Sequence, residues 1–205
     1  APGFFDAVAY SGTGGGSGQT INYSIKHNLG VTPQLLIIKA RTTTQGWPTF
    51  TGLDVGDNYL LLNTNNATLG GGAASEVTLS ETDFTIKLSY PAYSSSGNDY
   101  IAYLFASLPG ISKVGSVSHT SGSATNVDCG FTSGARFILL KVTDSSGSWF
   151  VYDTTRGIVA GNDARLKLDS TAAENTGNDD IDPLSSGFTI TSTVSTGSYI
   201  FYAIA

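Results

Sequence analysis

Arg136-Phe137-Ile138-Leu139-Leu140-Lys141-Val142-Thr143-Asp144-Ser145-Ser146-Gly147-Ser148-Trp149 decides the fold of this chain. Phe137 to Leu140 is a continuous apolar run, too short for a helix and too apolar for a surface loop, so it reads as a strand buried on both faces. Thr143 to Gly147 is turn chemistry: side-chain oxygens that cap backbone amides, then a glycine that accepts positive φ. Trp149-Phe150-Val151-Tyr152 opens a second strand, which makes the stretch a β-hairpin with a longer loop. Lys141 is expected to carry its ammonium to solvent at the strand end and to be cheap to remove. The same phrase stands earlier, in Gln34-Leu35-Leu36-Ile37-Ile38-Lys39-Ala40-Arg41, Thr42 to Gly46 and Trp47. A constant shift of 102 positions carries Lys39 to Lys141 and Trp47 to Trp149. The repeated hairpin reads as a tandem duplication.

The correspondence continues outward. Gly3-Phe4-Phe5 answers to Gly110-Ile111-Ser112, and Leu29-Gly30-Val31-Thr32 to Cys129-Gly130-Phe131-Thr132. Leu60-Leu61-Leu62-Asn63-Thr64 answers to Leu166-Lys167-Leu168-Asp169-Ser170, and Asp83-Phe84-Thr85-Ile86 to Gly187-Phe188-Thr189-Ile190. Tyr100 to Ala106 and Tyr199 to Ala205 close the halves. The shift drifts only across Gly, Ser and Asn-rich segments, where a loop-connected β fold accepts insertions. Domains are therefore expected at 1–106 and 110–205, joined by a short linker at 107–109.

Composition agrees on the class. Of 205 residues 13% are charged, 11% are aromatic and 25 are glycine. No window sustains an apolar period near 3.6, so the class is all-β. About eight short strands per half, each bounded by turn residues, give two tandem jelly-roll-like antiparallel β-sandwich domains related by internal duplication. In the first half the strands fall near Phe4–Ser11, Gln19–Ile25, Leu35, Trp47, Tyr59–Asn63, Glu76–Leu79, Phe84–Leu88 and Asp99–Ala106. Loops are expected at Leu53–Asn58 and Thr64–Ser75. Gly12 to Gly18, with five glycines, is expected to be a mobile loop, since it offers few side chains to pack.

A formal net charge of −6 and no basic stripe speak against nucleic acid as a partner. No apolar run has the length to insert across a membrane. Cys129, the single cysteine, allows no internal disulfide and stands where the first half has Leu29, so it reads as an apolar filler.

Catalysis would need a nucleophile with its base, a carboxylate pair or a metal cluster. His27 and His119 do not correspond in the repeat and read as surface histidines near loops. Glu81 and Asp83 come nearest to a carboxylate pair, yet Ser185 and Gly187 replace them in the second half. Asn178-Asp179-Asp180-Ile181-Asp182 reads as a solvated acidic loop, with calcium binding as the lesser alternative, since the ligand spacing and central glycine of a helix-loop-helix calcium site are missing. No catalytic residue, cofactor or metal is assigned. Trp47 and Trp149 invite a sugar-stacking reading, but their fixed place after the central strand suits packing under the sandwich rim. Tyr90, Pro91 and Tyr93 differ: they form an aromatic tip with no counterpart in the second half, and are expected to contact a partner.

Several motifs together carry a family likeness. Gly3-Phe4-Phe5 through Val8, Tyr10-Ser11-Gly12-Thr13-Gly14, then Asn28-Leu29-Gly30-Val31-Thr32-Pro33 before an apolar strand and Lys39, are two of them. Leu60 to Thr64 and Tyr100 to Ala106 complete the set. The set resembles a repeated domain of phage structural proteins, found in tail fibres and other virion-associated proteins of marine and cyanobacterial phages. The chain departs from that pattern after Lys39 and Lys141, where Ala40-Arg41 and Val142-Thr143-Asp144 replace a polar trio. It departs again at Val117-Ser118-His119, where the pattern has Tyr-Thr-Gly. The resemblance implies a non-enzymatic virion protein, in a tail fibre, an appendage or a head-surface decoration, with an adhesion or assembly role. Its implied partners are other virion proteins, copies of itself in a homo-oligomer within the particle, and a host-surface glycan. The alternative is a carbohydrate-binding, lectin-like module.

Overall fold

The computed structural model describes residues 1–53, 58–70 and 77–205. Glu76, expected to open a strand, and parts of the loops expected at 53–58 and 64–75 lie outside the described residues. All regular elements among the described residues are strands, and every named ladder is antiparallel. Among the described residues no helix is long and apolar enough to cross a membrane.

The chain divides into two compact units, one of Ala1–Asn63 with Thr68–Ala106, the other of Thr64–Ala67 with Ser107–Ala205. The first unit holds β1 (Phe5–Ser11), β2 (Thr20–Lys26), β3 (Leu35–Ala40), β4 (Pro48–Thr51), β5 (Asn58–Leu61), β6 (Leu69–Gly70), β7 (Val77–Leu79), β8 (Asp83–Leu88) and β9 (Asp99–Phe105). The second holds β10 (Ser112–His119), β11 (Thr125–Asp128), β12 (Phe137–Val142), β13 (Phe150–Asp153), β14 (Asp163–Lys167), β15 (Asn175–Asn178), β16 (Ile181–Leu184), β17 (Gly187–Ile190) and β18 (Gly197–Ile204). In the first unit the sheets run β1-β9-β3-β4-β5-β6 and β2-β8-β7; in the second, β10-β18-β12-β13-β14-β15 and β11-β17-β16. Each strand of the second unit thus holds the place of the strand nine earlier in the chain.

The two sheets of each unit face each other in a sandwich-like arrangement. Leu36, Ile38, Tyr100, Ala102 and Leu104 of the larger sheet meet Ile25, Phe84 and Ile86 of the smaller one in a single buried cluster. Ile138, Leu140, Phe201 and Ala203 meet Val127, Phe188 and Ile190 in the same way in the second unit. β12 is buried on both faces, as its apolar run dictates, with Leu139 and Lys141 alternating against the inward residues. A jelly roll divides eight strands between two sheets. Here β3 to β6 are neighbours in chain order within one sheet, so each unit splits into six strands and three among the described residues.

Local details recur in both units. Gly30 and Gly130 sit at φ +78° and +71°, a left-handed turn that a β-carbon would strain. Lys39 Nζ donates to the Gln45 carbonyl at 2.6 Å and Lys141 Nζ to the Gly147 carbonyl at 2.8 Å, so each lysine closes its own hairpin loop from within. The Trp47 and Trp149 amides both donate at 2.8 Å, to the Asn63 and Asp169 side chains.

Three expectations change. Lys141 does not reach solvent: it is fully buried, because the Gly147 carbonyl beneath the loop holds its ammonium. The Gly12–Gly18 loop is tied to the tip before β9, through Gly12 N to Asn98 O at 2.8 Å, Gly14 N to Ser94 O at 2.8 Å and Gly18 N to Ser89 O at 2.7 Å. Ser107 and Leu108, expected as linker, are held against β10: Leu108 and Ser112 exchange backbone bonds of 3.1 and 2.9 Å.

Candidate functional site

The tip expected to meet a partner is a plug. Tyr93 is 3% exposed, and its ring stands edge-on to Phe50 of β4 at 5.8 Å and tilted on Tyr90 at 5.5 Å. Tyr10 Oη donates to the Tyr93 carbonyl at 2.7 Å, Tyr100 Oη to the Pro91 carbonyl at 2.9 Å, and the Tyr90 amide to Ser94 Oγ at 2.9 Å. Tyr90 is half-buried against the core cluster and Pro91 is exposed. Tyr93 therefore offers no ring to a partner, which corrects that expectation. The cause is Phe50: its apolar face lies at the open end of the sandwich, and covering it with a tyrosine ring is worth about 1.5–3 kcal/mol.

The second unit treats the same place differently. Tyr152 on β13 is the counterpart of Phe50, pairing with Ile138 as Phe50 pairs with Leu36. The connection from β17 to β18 is shorter than that from β8 to β9 and brings no aromatic ring. The space above Tyr152 is a cleft of about 400 Å³, with Phe150, Arg165, Asp180, Ser146 and Thr193 among its walls. Asp180, almost wholly buried, takes an ion pair from Arg165 Nη1 and a hydrogen bond from Tyr152 Oη at 2.9 Å, both on Oδ2. Arg165 in turn lies 4.3 Å over the Phe150 ring. Burial first, and then the Asp180 carboxylate, push the Tyr152 phenol well above its ordinary range, so it stays a proton donor to that carboxylate.

Asp163 fixes the geometry from behind. Its buried carboxylate accepts the Ile181 amide at 2.8 Å and the Asp180 amide at 3.2 Å, which pins the start of β16 and aims Asp180 at Arg165. Burial raises the Asp163 pKa while these backbone donors pull it back. The 178–182 stretch is therefore no solvated loop but a strand start with a paired carboxylate. Nor does it gather ligands: among the described residues no group of three or more His, Cys, Asp or Glu could hold a metal ion.

Both histidines are buried, against expectation. His27 Nε2 meets the Ser80 carbonyl at 3.1 Å; His119 meets Thr125 Oγ1 at 2.9 Å and the Val194 carbonyl at 3.2 Å. Each imidazole completes backbone hydrogen bonding where a connection crosses the sandwich end. Trp149 is 1% exposed and presents no face. Trp47 is half-buried, with Lys39 Nζ 5.4 Å from its ring centre. Cys129 lies in the core cluster, and burial pushes its thiol up to about 12. Asp83 is engaged by Lys26 at 2.9 Å.

Sequence reasoning missed Arg165 and left Asp180 in a solvated loop, because their contact joins β14 to the residue before β16, distant in the chain. A signal was present. Phe50 becomes Tyr152 and Tyr59 becomes Arg165 between aligned strands, two exchanges of apolar or aromatic bulk for polar groups on one face.

Fold and site together define an all-β, two-unit protein with a polar cleft in its second unit. One family model, the Domain of unknown function (DUF7483), matches residues 2–205 and so takes in both units. The chain belongs to that family. No curated protein and no solved structure matches it.

Proposed function

We propose that the chain is a non-enzymatic virion protein of a phage, carried on a tail fibre, an appendage or the head surface, where it serves adhesion or assembly. The resemblance of its repeated motifs to phage structural domains suggests the setting. The observation that supports the non-enzymatic half is the cleft itself: the Arg165 guanidinium and the Tyr152 phenol both engage Asp180 Oδ2, which neutralises the carboxylate and suits recognition.

The same proposal includes tandem duplication of one sandwich, jelly-roll-like in the way its first and last strands pair. The nine-strand correspondence, the paired lysine-closed loops and the paired left-handed glycines support it. After duplication one copy kept its open end plugged by Tyr93 while the other lost the plug and acquired a polar cleft. Partners are other virion proteins, further copies of the chain in a particle, and a host-surface glycan. The acidic balance supports leaving nucleic acid out.

Fractionating a lysate of the producing cells on a density gradient tests this reading. The chain is expected to band with phage particles and to be labelled there by a specific antibody. Recovery only in the particle-free fraction would overturn it and favour a carbohydrate-binding module of cellular origin.

A further inference from the structure

We propose that the cleft over Tyr152 is a binding site for one or two rings of a neutral saccharide. This deepens the adhesion reading and rests on it only for the source of the glycan; the binding itself is a property of the isolated chain.

Charge narrows the occupant first. Of all the residues lining the cleft, only Arg165 and Asp180 are charged, and they form a pair. A phosphate, sulfate or carboxylate would have to draw the guanidinium from a carboxylate that Tyr152 also holds, and a cation would have to displace the guanidinium outright. An uncharged occupant meets neither cost. The next step is hydrogen bonding. Ser145, Ser146, Ser148 and Ser195 line the cleft with four hydroxyls that both give and accept, while the Thr193 hydroxyl beside them is engaged with the Asp179 carbonyl and Thr191 Oγ1. Both bonds to Asp180 fall on Oδ2, so its second oxygen is the acceptor the pair offers to a hydroxyl. An apolar occupant would leave this polar wall unanswered.

Shape completes the match. Val142, Leu140 and Val194 add apolar lining to the hydroxyls, and a pyranose ring likewise combines a C–H face with a hydroxyl rim. About 400 Å³ falls in the range of small-ligand sites and limits the occupant to a terminal ring or two. The first unit supplies the control. There the Tyr93 ring stands against Phe50, the counterpart of Tyr152, whereas the β17–β18 connection brings no aromatic ring to the second unit.

The probe is an array of neutral mono- and oligosaccharides, followed by calorimetric titration of the purified chain with whichever binds. Ser146→Trp on the hairpin loop and Ser195→Trp on the β17–β18 connection each obstruct the cleft from a different segment and leave the Arg165–Asp180 pair alone. Thr44→Trp puts the same bulk at the aligned position of the first unit. The expected result is binding of at least one neutral saccharide, weakened about tenfold or more in both cleft variants with unchanged melting temperature, and unaltered in Thr44→Trp. The proposal fails if no neutral saccharide binds, if only anionic glycans bind, if both cleft variants bind like the parent, or if Thr44→Trp loses binding equally. Saccharide binding by a chain absent from particles would sink the virion reading and leave this one standing.

Discussion

Lys141 shows how much one side chain can be bound by its surroundings. It lies fully buried on β12, and burial lowers its pKa from 10.5 to about 8, with the Asp169 carboxylate pulling the other way. The sign of the consequence follows. Between about pH 8 and 10 the unfolded chain holds a proton that folded Lys141 has released, so this residue's contribution to stability rises with pH, by at most about 1.4 kcal/mol per unit. Cys129 and the buried tyrosines Tyr10, Tyr152 and Tyr202 act oppositely, since their folded pKa values are raised and the unfolded groups ionise first. Comparison with Lys141→Met, which keeps the stem, cancels those shared terms. In urea titrations the parent should gain on the variant from pH 8 to 10; a difference that stays flat would show that burial does not disfavour the Lys141 ammonium. Tyr93 belongs to the same scale. Tyr93→Ala should destabilise its unit by about 3 kcal/mol, since it removes a buried aromatic ring and exposes Phe50. A change of a few tenths in the same titration would restore the tip as a free surface.

At the scale of elements, the central hairpin strands follow from their own residues. Leu139→Ala is expected to cost about 2–5 kcal/mol in chemical denaturation, because a buried aliphatic loses transfer energy and leaves a cavity. Loss below about 0.5 kcal/mol would contradict burial of both faces of β12. These strands were legible because a four-residue apolar run has few alternatives, and its repetition with lysine and tryptophan in step fixed their ends. β6 and β16 were not. Leu69–Gly70 is too short to show a period, and Ile181-Asp182-Pro183-Leu184 carries a proline that only an edge strand accepts. The site was illegible for a related reason. Tyr93 stands in a loop without a counterpart, which suggested exposure, yet its packing need arises from Phe50, which is Tyr152 in the other half. That difference had to be seen in space. Arg165 and Asp180 likewise announce nothing singly; only the pairing of β13 with β14 and the anchoring of β16 by Asp163 bring them together.

On the scale of the molecule, one family model spans both units, while the strand order of each unit stands complete without the other. Under the proposed duplication, the two scaffolds divide their labour: the first unit, with Tyr93 packed on Phe50, contributes stability, and the second, with its cleft, is proposed to contribute recognition. A crystal structure of the chain tests this shared plan and its divergence most directly. The nine strands of each unit are expected to superpose in the same order, with Phe50 on Tyr152 and the Tyr93 ring of the first unit falling in the space that stays open above Tyr152 in the second. Strand orders that differ between the units, or a β17–β18 connection closed over Tyr152, would contradict it.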